Sequence, residues 1–252
     1  TPRSHSGGRS SENCQARRGR RPEVTCRLSR LWYELVTSDG KRRYLGRTAH
    51  MGKTKKLFEL LRTPAYWRGA ARGVAASVEH ERFLRNGSYG SILDVGANRG
   101  QFALAARKHQ PAAMIFAFEP LDGPASRFSR VFRNDKKVHL INKALGSSQK
   151  FQHINISERD DSSSLLPIGT GQTTAFPGTG AMGVETVEVT TLDVEARSLN
   201  LCSPVLLKID VQGFELEVLR GARECLSLIE SVYVELSYLE LYTGQPLAHE
   251  VM

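Results

Sequence analysis

Ile92-Leu93-Asp94-Val95-Gly96-Ala97-Asn98-Arg99-Gly100-Gln101-Phe102 decides how this chain folds. A short apolar strand, Ser91 to Val95, runs into a turn carrying two glycines, and the amphipathic stretch Gln101 to His109 follows as a helix. Working outward, Met114 to Glu119 reads as a second strand, Pro124 to Arg133 as a helix and Val138 to Asn142 as a third strand. Later come an apolar strand at Val205 to Ile209, a helix at Phe214 to Leu226 and a fifth parallel strand at Ser231 to Leu236. Strands alternating with helices need right-handed crossovers, so the expected fold is α/β: a doubly wound, mostly parallel, Rossmann-like sheet. Between these halves, Phe151 to Ser157 and Glu185 to Leu192 alternate as half-buried strands around Glu158 to Gly183, too long for a plain connector and read as a lid or mobile loop.

The front of the chain is different in kind. Residues 1–90 carry 20 Lys and Arg against 7 Asp and Glu, whereas residues 91–252 carry 15 against 19. Residues 1–50 are therefore expected as a basic, disordered extension, 51–90 as a helical cap with helices at Lys55 to Leu61 and Ala70 to Leu84, and 91–252 as the ligand-binding domain. No aromatic residue interleaves with the charges before Trp32, so nucleic acid is not the expected partner. No apolar run approaches the roughly 20 residues of a spanning helix, and only the basic amphipathic helix near Lys55 admits weak association with a membrane surface. The first thirty residues lack the apolar core of a signal peptide, and Cys14, Cys26, Cys202 and Cys225 form no CxxC pair. Reduced thiols and a cytoplasmic location follow as expectations, with no structural metal.

The turn Gly96-x-x-x-Gly100 lacks the middle glycine of the dinucleotide fingerprint and the Gly-Lys-Ser/Thr of a phosphate loop. Pyrophosphate is thus not the expected guest. A helix N-terminus suits a carboxylate, and Asp94 at the strand end can accept from a ligand ammonium. Glu119 closes the second strand 25 residues after Asp94, in Phe116-Ala117-Phe118-Glu119-Pro120, where an acid can accept both hydroxyls of a ribose. Ribose plus an amino-acid head group without pyrophosphate describes S-adenosylmethionine. Two alternatives stay open on the residues alone: an NAD(P)-dependent dehydrogenase or nucleotide-sugar enzyme on the same sheet, and a non-catalytic domain binding a partner or nucleic acid through its basic front.

Six blocks in order carry a resemblance: Asp94 to Gly100, Phe118-Glu119-Pro120, Asn142 to Gly146, Ser162 to Leu165, Leu207 to Glu215, and Val234-Glu235. Together the chain from about residue 57 onward resembles the FkbM-type S-adenosylmethionine-dependent methyltransferases. The resemblance implies a class I methyltransferase-like fold and O-methylation of a sugar or secondary-metabolite hydroxyl, on a small-molecule or glycan acceptor. It further implies that Asp94, Gly96, Asn98 and Gly100 cradle the methionine end of the cofactor, Glu119 with Pro120 the ribose, and Asn142 and Ala144 the adenine side. Ser163 and Ser164 match a block that closes over the cofactor. Asp210 and Gln212 end the fourth strand beside the topological switch point, where open α/β sheets bind ligands.

Methyl transfer is an in-line displacement in which positioning supplies much of the acceleration. A hydroxyl acceptor also gains from a base, for which Asp210 and Glu235, both at strand ends on one edge, are the catalytic candidates. Asp210, Glu215 and Glu235 could bind a divalent cation through oxygen, but no pattern requires a metal. His80 and His249 read as structural. The resemblance leads one to expect further strands after Ser231 to Leu236, and a chain closing at Met252 predicts a sheet without them, its fifth strand an exposed edge.

Overall fold

The computed structural model describes residues 30–36 as backbone strand, together with residue 60 and residues 62–252. Nine strands are defined there: β1 Arg30–Val36, β2 Ser91–Val95, β3 Met114–Phe118, β4 Val138–Ile141, β5 Ala144–Leu145, β6 Lys150–Ser157, β7 Ala181–Thr190, β8 Val205–Ile209 and β9 Ser231–Ser237. The helices are α1 Pro64–Ala70, α2 Glu81–Asn86, α3 Gln101–His109, α4 Asp122–Phe132, α5 Thr170–Ala175, α6 Leu192–Ala196, α7 Glu215–Arg220 and α8 Ala248–Val251.

Six strands form one sheet in the order β1-β9-β8-β2-β3-β4, parallel from β9 to β4. The chain winds outward in one direction from β2 to β3 and β4, and in the other from β8 to β9, so the switch point falls between β2 and β8. Every residue of these two central strands is buried. Helices cover both faces, as right-handed crossovers require. Phe102, Leu104, Phe128 and Phe132 of α3 and α4 pack on one face with Tyr66 and Leu84 of α1 and α2. Leu192, Val218 and Ala248 of α6, α7 and α8 pack on the other with Leu207, Ile209 and Val234.

The doubly wound α/β reading holds, with three local corrections. The helix expected at Ala70 to Leu84 is displaced: α1 starts at Pro64 and stops before Gly73, whose φ of +70° ends the helical path, and a 3-10 turn at Val78–His80 precedes α2. The helix expected at Phe214 to Leu226 is cut at Gly221 and resumes as a 3-10 turn, Cys225–Leu228. Finally, β9 is not an open edge. The strand β1 pairs with it antiparallel along its whole length, from Arg30 opposite Ser237 to Val36 opposite Ser231. Those seven residues belong to the segment expected to be disordered; the rest of that segment lies outside the described residues, as does nearly all of the helix expected at Lys55 to Leu61.

The second sheet, β5-β7-β6, is a long antiparallel hairpin with β5 added parallel. Its inner face, Ile154, Val187 and Val189, packs on Leu121 and Phe214. Residues 158–180 connect its two long strands and contain the 3-10 turn Asp160–Ser162 and α5. They are docked rather than free, through Gly169 N to Leu241 O at 3.0 Å and Thr243 N to Pro167 O at 2.9 Å. Among the described residues, no helix is long and apolar enough to cross a membrane.

Candidate active site

A cavity of about 870 Å³ opens at the C-terminal ends of β2, β3, β8 and β9, with residues 159–179 forming one of its walls. This is the size of a small-molecule site. Gly96, Asn98, Glu119, Pro120, Ala144, Ser163, Ser164, Asp210, Gln212 and Glu235 line it. Asp94, Gly100 and Asn142, also expected at the cofactor, are not among the residues that line it.

The turn after β2 is built for close approach. Gly96 has φ +73°, and a Cβ there would lie 1.8 Å from the Asp210 carbonyl oxygen. Gly96 N and Ala97 N both donate to Phe118 O at 3.0 Å. Asn98, at φ +47°, donates its N–H to Glu119 Oε2 at 2.9 Å, and Leu121 N donates to Glu119 Oε1 at 2.9 Å. Each Glu119 oxygen keeps acceptor capacity for a further donor. Burial pushes this carboxyl up to about 7, against the pull of those two amides. Gly100 and Asn142 have structural work. Gly100 has φ +92°, and a Cβ there would meet the Phe132 ring at 2.6 Å, so α3 can start only on a glycine. Asn142 Nδ2 donates to Glu119 O at 2.9 Å and Pro120 O at 3.1 Å, bracing the turn that follows β3.

Asp94 is engaged within the protein. Its carboxylate is buried and pairs with Lys208 Nζ at 2.9 Å. Lys208 also donates to Gly96 O at 2.9 Å and Val95 O at 3.2 Å, and lies 4.0 Å from Asp210. Burial works against its charge, but Asp94, Asp210 and Glu235 outweigh it and hold the ammonium above its ordinary value. Sequence reading passed over Lys208, although a lysine inside the otherwise apolar strand Val205–Ile209 is itself a signal: a charge buried on a central strand needs a partner.

Across the cavity, Gln212 clasps the two candidate bases. Its backbone is left-handed, at φ +56°. Its Nε2 donates to Asp210 Oδ1 at 2.6 Å and Glu235 Oε2 at 3.3 Å, and its Oε1 accepts from the Tyr242 hydroxyl at 2.9 Å. Tyr242 also reaches Ser162 O at 2.9 Å, and Ser164 Oγ donates to Gln212 O at 2.7 Å. The serine block thus closes onto the loop after β8. Ser163 Oγ accepts from Ser157 N at 3.1 Å. Arg99 reaches from the glycine turn to Asp160, Nε to Oδ2 at 2.6 Å, and fixes the other side. Glu215 does not face the cavity as a cation ligand would: it accepts from Gly213 N at 3.0 Å, and burial pushes its carboxyl up to about 7. Tyr242 and Arg99 were not anticipated, because neither belongs to a motif with chemistry of its own.

The wall therefore joins a buried carboxylate at the end of β3, a glycine turn that leaves the backbone bare, and Asp210 and Glu235 beside one ammonium. Curated relatives match this part of the chain. It is 29% identical over 160 residues to the 2-O-methyltransferase NoeI of Sinorhizobium fredii, covering 61% of this chain and 66% of that one. It is 29% identical over 167 residues to Methyltransferase 1 of Beauveria bassiana, covering 58% and 64%. It is 30% identical over 146 residues to the hexuronic acid methyltransferase AglP of Haloferax volcanii, covering 58% and 55%. The chain thus spans about two thirds or less of the length of these relatives. The Methyltransferase FkbM domain matches residues 94–252, the stretch that builds the glycine turn, the Glu119 strand end and the Gln212 clasp: the chain belongs to the FkbM methyltransferase family.

Proposed function

We propose that this chain transfers a methyl group from S-adenosylmethionine to a hydroxyl oxygen of a sugar or secondary metabolite. The observation that carries the reading is Glu119: a buried carboxylate at the end of β3, lining the cavity beside the Gly96 turn. A carboxylate so positioned accepts the two hydroxyls of a ribose. The charge of the wall supports the same ligand. Lys208 is matched by Asp94, which leaves Asp210 and Glu235 as excess negative charge suited to a cation. The turn supports it too, since Gly96 leaves no side chain between backbone and ligand.

When bound, S-adenosylmethionine supplies a methyl already activated on a sulfonium. The chain's own residues then have three tasks. Glu119, on the turn that Asn142 braces, holds the ribose, and the Gly96 to Gly100 turn, set by the packing of Gly100 on Phe132, receives the amino-acid end. Ala144, Ser163 and Ser164 shape the remaining wall. Asp210 or Glu235 accepts the hydroxyl proton as the acceptor oxygen attacks, and Gln212 keeps both carboxylates turned the same way. The relatives named as a 2-O-methyltransferase and a hexuronic acid methyltransferase favour an oxygen on a sugar as the acceptor.

Calorimetric titration with S-adenosylmethionine and with NAD tests the reading. Micromolar binding of the first is expected, weakened by about 1 to 3 kcal/mol in Glu119→Ala as ribose hydrogen bonds are lost. Binding of NAD instead, or indifference to the substitution, would sink it. With an accepted sugar in hand, one of Asp210→Asn and Glu235→Gln is expected to lower methyl transfer at saturating S-adenosylmethionine by about 10² to 10⁴ while affinity for S-adenosylhomocysteine, which lacks the sulfonium charge, stays near that of the wild type, the signature of a lost base rather than a lost contact.

A further inference from the structure

We infer that Lys208 is the positioning residue of the glycine turn, holding the backbone of Val95 and Gly96 in the shape the cavity requires; the inference rests on the methyl-donor reading above. An ammonium has three N–H bonds to give. Here two main-chain oxygens accept from it, Gly96 O at 2.9 Å and Val95 O at 3.2 Å, and Asp94 Oδ1 pairs with its charge at 2.9 Å. Asp210 at 4.0 Å and the Phe102 ring at 5.6 Å feel its charge but receive no hydrogen bond. Lys208 lines the cavity, but its hydrogen bonds run to the turn's own backbone, so it acts on a ligand through the turn.

The turn is gripped from two sides. Its amides point to β3, where Gly96 N and Ala97 N meet Phe118 O and Asn98 N meets Glu119. Its carbonyls point to β8, where Lys208 receives them. Gly96 is the most permissive residue type in the segment, so a peptide held only by its amide could turn its carbonyl toward the ligand. A counter-ion for Asp94 would need one contact. The two additional bonds to main-chain oxygens are what a positioning role adds, and they bear on the stretch that carries Asn98 to Glu119.

The two roles separate in a pair of variants, read by thermal unfolding and by calorimetric binding of S-adenosylhomocysteine. Lys208→Met leaves Asp94 buried without its partner, so both Tm and affinity are expected to fall. The double variant Asp94→Asn/Lys208→Met removes both charges, and its Tm is expected to return to within a few degrees of wild type. Its affinity is expected to stay about tenfold or more below wild type, because the Gly96 carbonyl still lacks its donor, while Val95 O keeps the bond from Asp210 N. Affinity that returns together with Tm would make Lys208 a counter-ion only and overturn the inference. So would a double variant no more stable than the single one, which would make Lys208 a folding residue. Wild-type protein that does not bind S-adenosylhomocysteine would remove the methyl-donor reading, and the inference with it, an outcome distinguishable because it is seen before any substitution.

Discussion

Gly96→Ala is expected to destabilise the fold by roughly 3 kcal/mol or more and to abolish cofactor binding. Two costs add. An L-residue held in the left-handed region pays about 1 to 2 kcal/mol, and Gly96 sits at φ +73°. The new methyl would then stand 1.8 Å from the Asp210 carbonyl oxygen, a backbone atom whose residue is tied to β2 through Asp210 N to Val95 O at 3.1 Å. Relief requires parting the two central strands where the cavity begins, and overpacking of this kind costs about 1 to 3 kcal/mol. Urea unfolding gives the first quantity and calorimetry the second. Gly123→Ala is the matched control, since a Cβ there meets nothing within 4 Å and its φ lies in the ordinary range. That substitution should stay within about 0.5 kcal/mol of wild type. Equal midpoints for the two variants would mean that β2 and β8 are not held together at this point.

Unfolding free energy of the ligand-free protein is expected to fall as pH rises from about 5 to 8. Glu119 and Glu215 are both pushed up to about 7 by burial, from 4.5 in an exposed chain. Between those values the folded state binds protons that the unfolded state has released, so raising the pH favours unfolding. The stability these groups contribute is complete below 4.5 and is lost as pH passes through 7. At 1.36 kcal/mol per pKa unit, each group accounts for up to about 3 kcal/mol. Glu81, Asp193 and Glu217 are held below their ordinary values and titrate under this window, so they do not offset the trend. Glu215→Gln and Glu119→Gln should each flatten the profile in part, the remaining slope coming from the other carboxyl and from Asp94, which burial also holds above its ordinary value. The second also turns an amide toward Asn98 N or Leu121 N, which costs about 1 kcal/mol at every pH without adding slope. A level profile between pH 5 and 8 would show that both carboxyls titrate as exposed ones do.

The Gly96 and Glu119 half of the candidate site was legible in sequence because its signals are local. An apolar strand ending in glycine, and a second strand ending in an acid before proline, locate Gly96 and Glu119 at the same edge of a parallel sheet. What escaped reading depends on distant partners. Nothing within Val205–Ile209 names Asp94 as the residue that neutralises Lys208, and nothing in the segment around Tyr242 names Gln212. Gly100 and Asn142 also do structural work that sequence does not name, since one makes room for Phe132 and the other braces the Glu119-Pro120 carbonyls. Strand β1 left the faintest trace, because edge pairing uses main-chain groups that every residue carries, and its basic neighbours read as solvated chain.

That strand changes what trimming the front of the protein would mean. The arginine-rich beginning invites removal as a tail in any effort to obtain a smaller, better-behaved catalyst. Cutting after residue 50 would also strip β1 from beside β9 and uncover seven residues of main-chain donors and acceptors, next to the strand that carries Glu235. Such an edge pairs with other copies of itself. A shortened protein would trade a soluble, highly charged leader for self-association, and its lost activity would be misread as proof that the leader takes part in the chemistry.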